Sequence, residues 1–165
     1  MDTELTTYKP ASAQYSSTVQ PQPFKTMLIL IAGPYRGGTN DDSALMAQNL
    51  ARLEAVALPL FRAGHLPMIG EWVALPLIRL AGSERPGDAA WNEIQYPVAH
   101  QLLNRCDAVL RLEGASAGAD NDVRLARERG LPIYFRLEDV PGVRESEELR
   151  VKSWLTKGSC ASANS

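Results

Sequence analysis

The sequence predicts a three-layer α/β domain built on a mostly parallel sheet. Three observations carry this. The short, continuously apolar run 27–32 is what a strand covered on both sides requires, and 65–69, 107–112 and 131–135 are further segments of strand length. Stretches with helical spacing of apolar residues separate them. Strands that alternate with helices pair in parallel, with helices on both faces. A chain of 165 residues, 45% of them hydrophobic, suffices for one core of ordinary size.

Residues 1–25 are rich in Ser, Thr, Gln and Pro, lack periodicity and read as a disordered tail. With two acids, no arginine and no apolar segment, they match neither a secretory signal nor a mitochondrial presequence. The folded domain is placed at 26–155, and 156–165 reads as a second flexible tail. The first strand, 27–32, ends at Gly33-Pro34. After the loop 33–39, residues 40–43 (Asn-Asp-Asp-Ser) supply N-cap side chains. Met46, Leu50, Leu53, Ala57 and Leu60 then mark one helical face, with Pro59 bending its end and Gly64 stopping it. A second strand is predicted at 65–69 and a helix at 71–81. Asp88 caps a helix running to about residue 105, with Pro97 as a kink or break. A third strand at 107–112 leads through a short loop to a helix from about 118 to 130. The fourth strand is 131–135, and a last helix is expected at 145–155. No internal repeat is present.

Charge and composition exclude several chemistries. With 17 basic against 19 acidic residues, the net charge is −2 and the pI near 5.7, unlike a surface that coats nucleic acid or anionic lipid. No apolar run approaches the roughly 20 residues of a membrane span. Lysines occur only at 9, 25, 152 and 157, so neither a Schiff-base lysine nor a phosphate-loop lysine lies inside the domain. Two histidines, no G-x-S-x-G elbow and no paired cysteines argue against a serine hydrolase, a metal centre and a disulfide framework. Cys106 reads as a small buried apolar residue in a reducing, cytoplasmic compartment.

In a parallel sheet, ligands bind beyond the carboxyl ends of the strands, where strand order reverses. Two loops fall there. The first, Ala32-Gly33-Pro34-Tyr35-Arg36-Gly37-Gly38-Thr39, brings backbone N–H groups and one guanidinium to a strand-to-helix turn, an arrangement suited to an anion. A tight turn with a solvated arginine explains the same residues. Its G-x-x-x-G-G spacing does not match a dinucleotide-binding loop. The second runs from Ser116 through Gly118 and Asp122 to Gly130-Leu131-Pro132. Ala119, Val123 and Ala126 form its sheet-facing side. Asp122 is expected in or near the first helical turn, where the macrodipole favours a carboxylate that would serve as nucleophile or simply stabilise the helix.

Together these loops resemble the nucleoside 2-deoxyribosyltransferase superfamily, which includes the 2′-deoxynucleoside 5′-phosphate N-hydrolases. Arg36-Gly37-Gly38 behind the opening strand looks like the hydrolase branch's phosphate- and sugar-binding loop. The second segment is similar to the family's Ser-x-Gly-x-x-x-Glu-x-x-x-Ala-x-x-x-Gly-x-Pro pattern, through Ser116, Gly118, Asp122, Ala126, Gly130 and Pro132. The strand 106–110 fits as well, and the likeness spans residues 27–135. It implies a flavodoxin/Rossmann-like topology and cleavage or transfer of an N-glycosidic bond through a covalent sugar–enzyme ester. Carried over by position, Asp122 is the nucleophile, one methylene shorter than the family's Glu. Gly33, Tyr35, Arg36, Gly37, Gly38, Ser116 and Gly118 line the substrate site. The family's helix Asp falls on Ala99, so His100 beside it, or Glu93 two turns earlier, is the candidate proton carrier.

The expected ligand is a nucleoside or nucleoside 5′-monophosphate, with hydrolysis favoured over transfer, no cofactor and no metal, and a homo-oligomeric assembly. Two other readings are open: a nucleotide-binding accessory module that has lost the chemistry, and a tailoring enzyme of specialised metabolism acting on a related glycoside. Trp72, Trp91, Tyr96 and Trp154 suit stacking on a base, but core or interface packing is the favoured use of each. Glu71 stands too far from the glycine loop for a ribose-binding acid of a dinucleotide enzyme.

Overall fold

The computed structural model describes residues 24–148. Its elements are β1 (Leu28–Ala32), α1 (Ser43–Arg62), β2 (Leu66–Ile69), α2 (Gly70–Leu80), α3 (Ala89–Leu103), β3 (Ala108–Arg111), α4 (Ala117–Glu128), β4 (Ile133–Tyr134) and a 3-10 turn (Leu137–Asp139). All four strands pair in parallel in the order β2-β1-β3-β4. None of the described helices is long and apolar enough to cross a membrane.

Alternation along β1 divides the core. Ile29 and Ile31 face one side, where Leu53, Ala57 and Leu60 of α1 cover them together with Val140 and Val143. Leu30 and Ala32 face the other, against Leu103 of α3 and Ala119 and Ala126 of α4. The apolar faces read from α1 and α4 are those the structure buries, since each stripe has only the sheet to pack on. A third cluster, of Met46, Ala74, Ile78 and Trp91, joins α1, α2 and α3 at one edge.

Several boundaries differ from expectation. Pro97 does not end α3, which runs unbroken from Ala89 to Leu103. Pro97 removes one donor to the carbonyl four residues back, and packing against α2 and α4 outweighs that loss. β4 is only two residues long because it is an edge strand, paired on one side alone. Phe24 and Lys25, read from the sequence as tail, are tied to the body: Phe24 stacks on His65 at 5.3 Å, and Lys25 pairs with Asp107 at 3.1 Å. The chain turns helical again at residue 143, two residues before the expected start. Most of the expected N-terminal tail, the later part of the helix expected at 145–155 with Trp154, and the expected C-terminal tail lie outside the described residues.

Between β1 and β2 the chain builds outward on one side. From β1 to β3 it continues on the other. The crevice at the carboxyl ends of β1 and β3 is therefore the switch point of this sheet, and both informative loops open onto it.

Candidate active site

A cleft of about 300 Å³ occupies that crevice. Its floor is the end of β1, and its sides are the loop after β1, the starts of α2 and α4, and one face of α3. Of the residues singled out in the sequence, Gly33, Tyr35, Arg36, Gly37, His100, Ser116, Gly118 and Asp122 line it. Gly38 and Glu93 are not among the lining residues; Gly38 serves the turn and Glu93 is exposed.

The first loop is held from behind. Asn49 of α1 donates its Nδ2 to the Tyr35 carbonyl at 2.9 Å, and buried Thr39 donates its Oγ1 to the Arg36 carbonyl at 2.7 Å. Gly37 lets this loop touch the second one, since a Cβ there would stand 2.6 Å from the Ala115 carbonyl oxygen. Tyr35 lies parallel to Trp91, with ring centroids 6.3 Å apart, and Asp88 caps α3 by accepting the Trp91 backbone N–H at Oδ1, 2.8 Å. Both rings contribute to the lining of the cleft, an aromatic surface of the kind on which a planar ring can stack.

The second loop is organised by Arg111, the last residue of β3. Its buried guanidinium donates to the carbonyls of Leu112 and Gly114 and to Asp120 Oδ1, the last at 2.8 Å. A lone arginine inside the apolar stretch Ala108-Val109-Leu110-Arg111-Leu112 is the sequence signal that would have found it. Ser116 caps α4 by accepting from the Ala119 N–H at 3.3 Å. The helix begins one residue earlier than expected, so Asp122 stands in its second turn and Asp120 takes the first. The macrodipole falls off beyond the first turn, so it is not what sets the Asp122 charge.

Burial sets it instead. Desolvation, with repulsion from Glu71 second, pushes the Asp122 carboxyl up to about 6, while Arg111 acts in the opposite direction. Glu71, at the start of α2, lines the same cleft, and its own carboxyl is raised by burial. One Glu71 oxygen accepts from Gln95 Nε2 at 3.3 Å. The sequence reading set Glu71 aside by its distance along the chain from the glycine loop. The parallel pairing of β2 with β1 cancels that distance, because it sets the ends of both strands side by side. Tyr35 also feels Glu71, which together with burial raises its phenol and keeps the hydroxyl protonated.

His100 sits at the cleft mouth, exposed, with Nε2 accepting from the Arg129 guanidinium at 3.3 Å. The arrangement therefore offers two desolvated carboxylates, a phenol, an aromatic wall and one guanidinium in a single crevice. No trio of His, Cys, Asp or Glu among the described residues is placed to hold a metal ion. No family model, curated protein or solved structure matches the chain.

Proposed function

We propose that this protein cleaves the N-glycosidic bond of a nucleoside or nucleoside 5′-monophosphate, with Asp122 as nucleophile and hydrolysis favoured over transfer. The observation that carries the reading is the meeting of Asp122 and Glu71 in one cleft beside the Tyr35–Trp91 wall. The parallel strand order β2-β1-β3-β4 is compatible with the flavodoxin/Rossmann-like topology that belongs to this reading.

In this scheme the base stacks along the aromatic wall and the sugar lies over Gly118 and the start of α4. The Asp122 carboxylate attacks the anomeric carbon. The carbon–nitrogen bond breaks, and its electron pair leaves with the base, which takes a proton from Glu71. Water then attacks the same carbon of the sugar–Asp122 ester, gives its proton to the Glu71 carboxylate, and frees the sugar and Asp122. Two carboxyl groups with raised proton affinity suit this division, one for covalent attack and one for proton transfer. Glu71 takes the proton role that the sequence reading gave to His100 or Glu93.

Free-base release from ribo- and deoxynucleosides and their 5′-monophosphates tests the scheme. Asp122→Asn is expected to lower release about a thousandfold or more, and Glu71→Gln about a hundredfold. Equal release by wild type and Asp122→Asn would remove Asp122 from the chemistry. Ligand-induced stabilisation without any release would favour a binding module.

A further inference from the structure

We propose that Asp41 is a built-in counter-ion that occupies the anion-binding fork of Arg36, so that the cleft takes an unphosphorylated nucleoside in preference to its 5′-monophosphate. This deepens the glycosidic reading and rests on it.

Arg36 is the guanidinium that lines the cleft, and its fork of donors suits a phosphate. It is already engaged on one edge: Nε meets Asp41 Oδ1 at 2.5 Å and Nη2 meets Oδ2 at 2.9 Å, a bidentate pair. Its other side lies over Gly87, where an added Cβ would stand 2.6 Å from Nη1. The position of Asp41 is built into the loop. Asn40 and Asp41 both hold left-handed backbone, at φ 50° and 62°, and Thr39 Oγ1 accepts the Asp41 N–H at 3.2 Å. Two adjacent non-glycine residues hold such angles only where the surroundings fix them. The mutual pull shows in both partners, with the Asp41 carboxyl lowered and the Arg36 guanidinium raised by their hydrogen bonds.

The other charges on the wall point the same way. Glu71 and Asp122 are carboxyl groups, and the one remaining basic side chain there, His100, faces Arg129. Arg111, the last residue of β3, is tied to Asp120. No lysine occurs between residues 26 and 151. A phosphate dianion would thus meet a fork already filled by one carboxylate and the Asp122 carboxylate on the same wall. An uncharged sugar–base ligand meets none of that repulsion.

Titration of the full-length protein with inorganic phosphate, followed by thermal shift, isolates the claim from catalysis. Wild type is expected to show no saturable shift at millimolar phosphate, whereas Asp41→Asn, which keeps a residue tolerant of left-handed backbone, gains one. Asp41→Gly serves if the Asn variant fails to fold, and adding Arg36→Gln to either is expected to remove the gain. Equal phosphate binding by wild type and the Asp41 variants would overturn the proposal. Nucleosides are expected to bind wild type at least about tenfold tighter than their monophosphates, and the gap to narrow in Asp41→Asn. The opposite preference in wild type would also overturn it. Absence of base release alongside the expected phosphate result would sink the glycosidic reading and leave the counter-ion in place.

Discussion

Asp122 is a carboxyl group that the fold holds at a cost. Its folded-state proton affinity is raised to about 6, above the ordinary carboxylate value, so above that pH the protein holds a charge it has desolvated. The cost is present in full above about pH 6 and is relieved as pH falls towards 4. Asp122→Asn is therefore expected to be more stable than wild type at pH 7 to 8, by about 1–2 kcal/mol, with the advantage fading near pH 4. Urea denaturation at several pH values checks this. Base release, which needs the ionised form, is expected to rise across pH 6. Cys106 is the contrasting case: buried and pushed up to about 11 by desolvation, it holds its proton and serves the core as its composition suggested.

At the scale of elements, the site depends on helices that contribute little chemistry. Leu53, only 2% exposed, lies on α1 among the core residues that cover Ile29 and Ile31. Its Cδ2 also stands 2.7 Å from where a Gly33 Cβ would be, so it supports the first turn of the glycine loop from below. Leu53→Ala is expected to cost about 2–4 kcal/mol in chemical denaturation, because the cavity opens between α1 and the sheet with nothing to refill it. The spacing of apolar residues made α1 and α4 legible in the sequence, down to Ala119, Val123 and Ala126. The continuity of α3 through Pro97 and the brevity of β4 were not legible. Both follow from neighbours, one helix held by packing on two sides and one strand lacking a second partner.

Over the whole molecule, the described chain is closed at the edge of the sheet opposite the cleft. His65, 2% exposed, accepts the Met27 N–H at Nδ1 (3.2 Å) and donates from Nε2 to the Pro141 carbonyl (2.8 Å). Those two bonds require the neutral tautomer with the proton on Nε2. It thereby joins the start of β1, the end of α1 and the turn near residue 141. His65→Ala is expected to cost about 2 kcal/mol or more in thermal or urea unfolding, leaving a buried donor and acceptor unpaired. The cleft residues lie at the other edge and are expected to keep their relative affinities for ligands, which a binding isotherm at low temperature would show.

What the sequence by itself determined is local: apolar runs of strand length, helical stripes, caps and glycine turns, and hence a parallel α/β sheet with two loops at its carboxyl edge. These follow from periods of a few residues, which each segment carries alone. Eight of the ten residues named from those loops and from α3 line the cleft, because loops at one sheet edge have little choice of where to converge. The tertiary structure alone decided which charges meet. Glu71 faces the site of Asp122 although 51 positions separate them, and Asp41 fills the fork of Arg36 through a left-handed turn that no periodicity announces. Electrostatic energy depends on distance in space and on exclusion of water, and both are set only when the strands pair and the helices cover them.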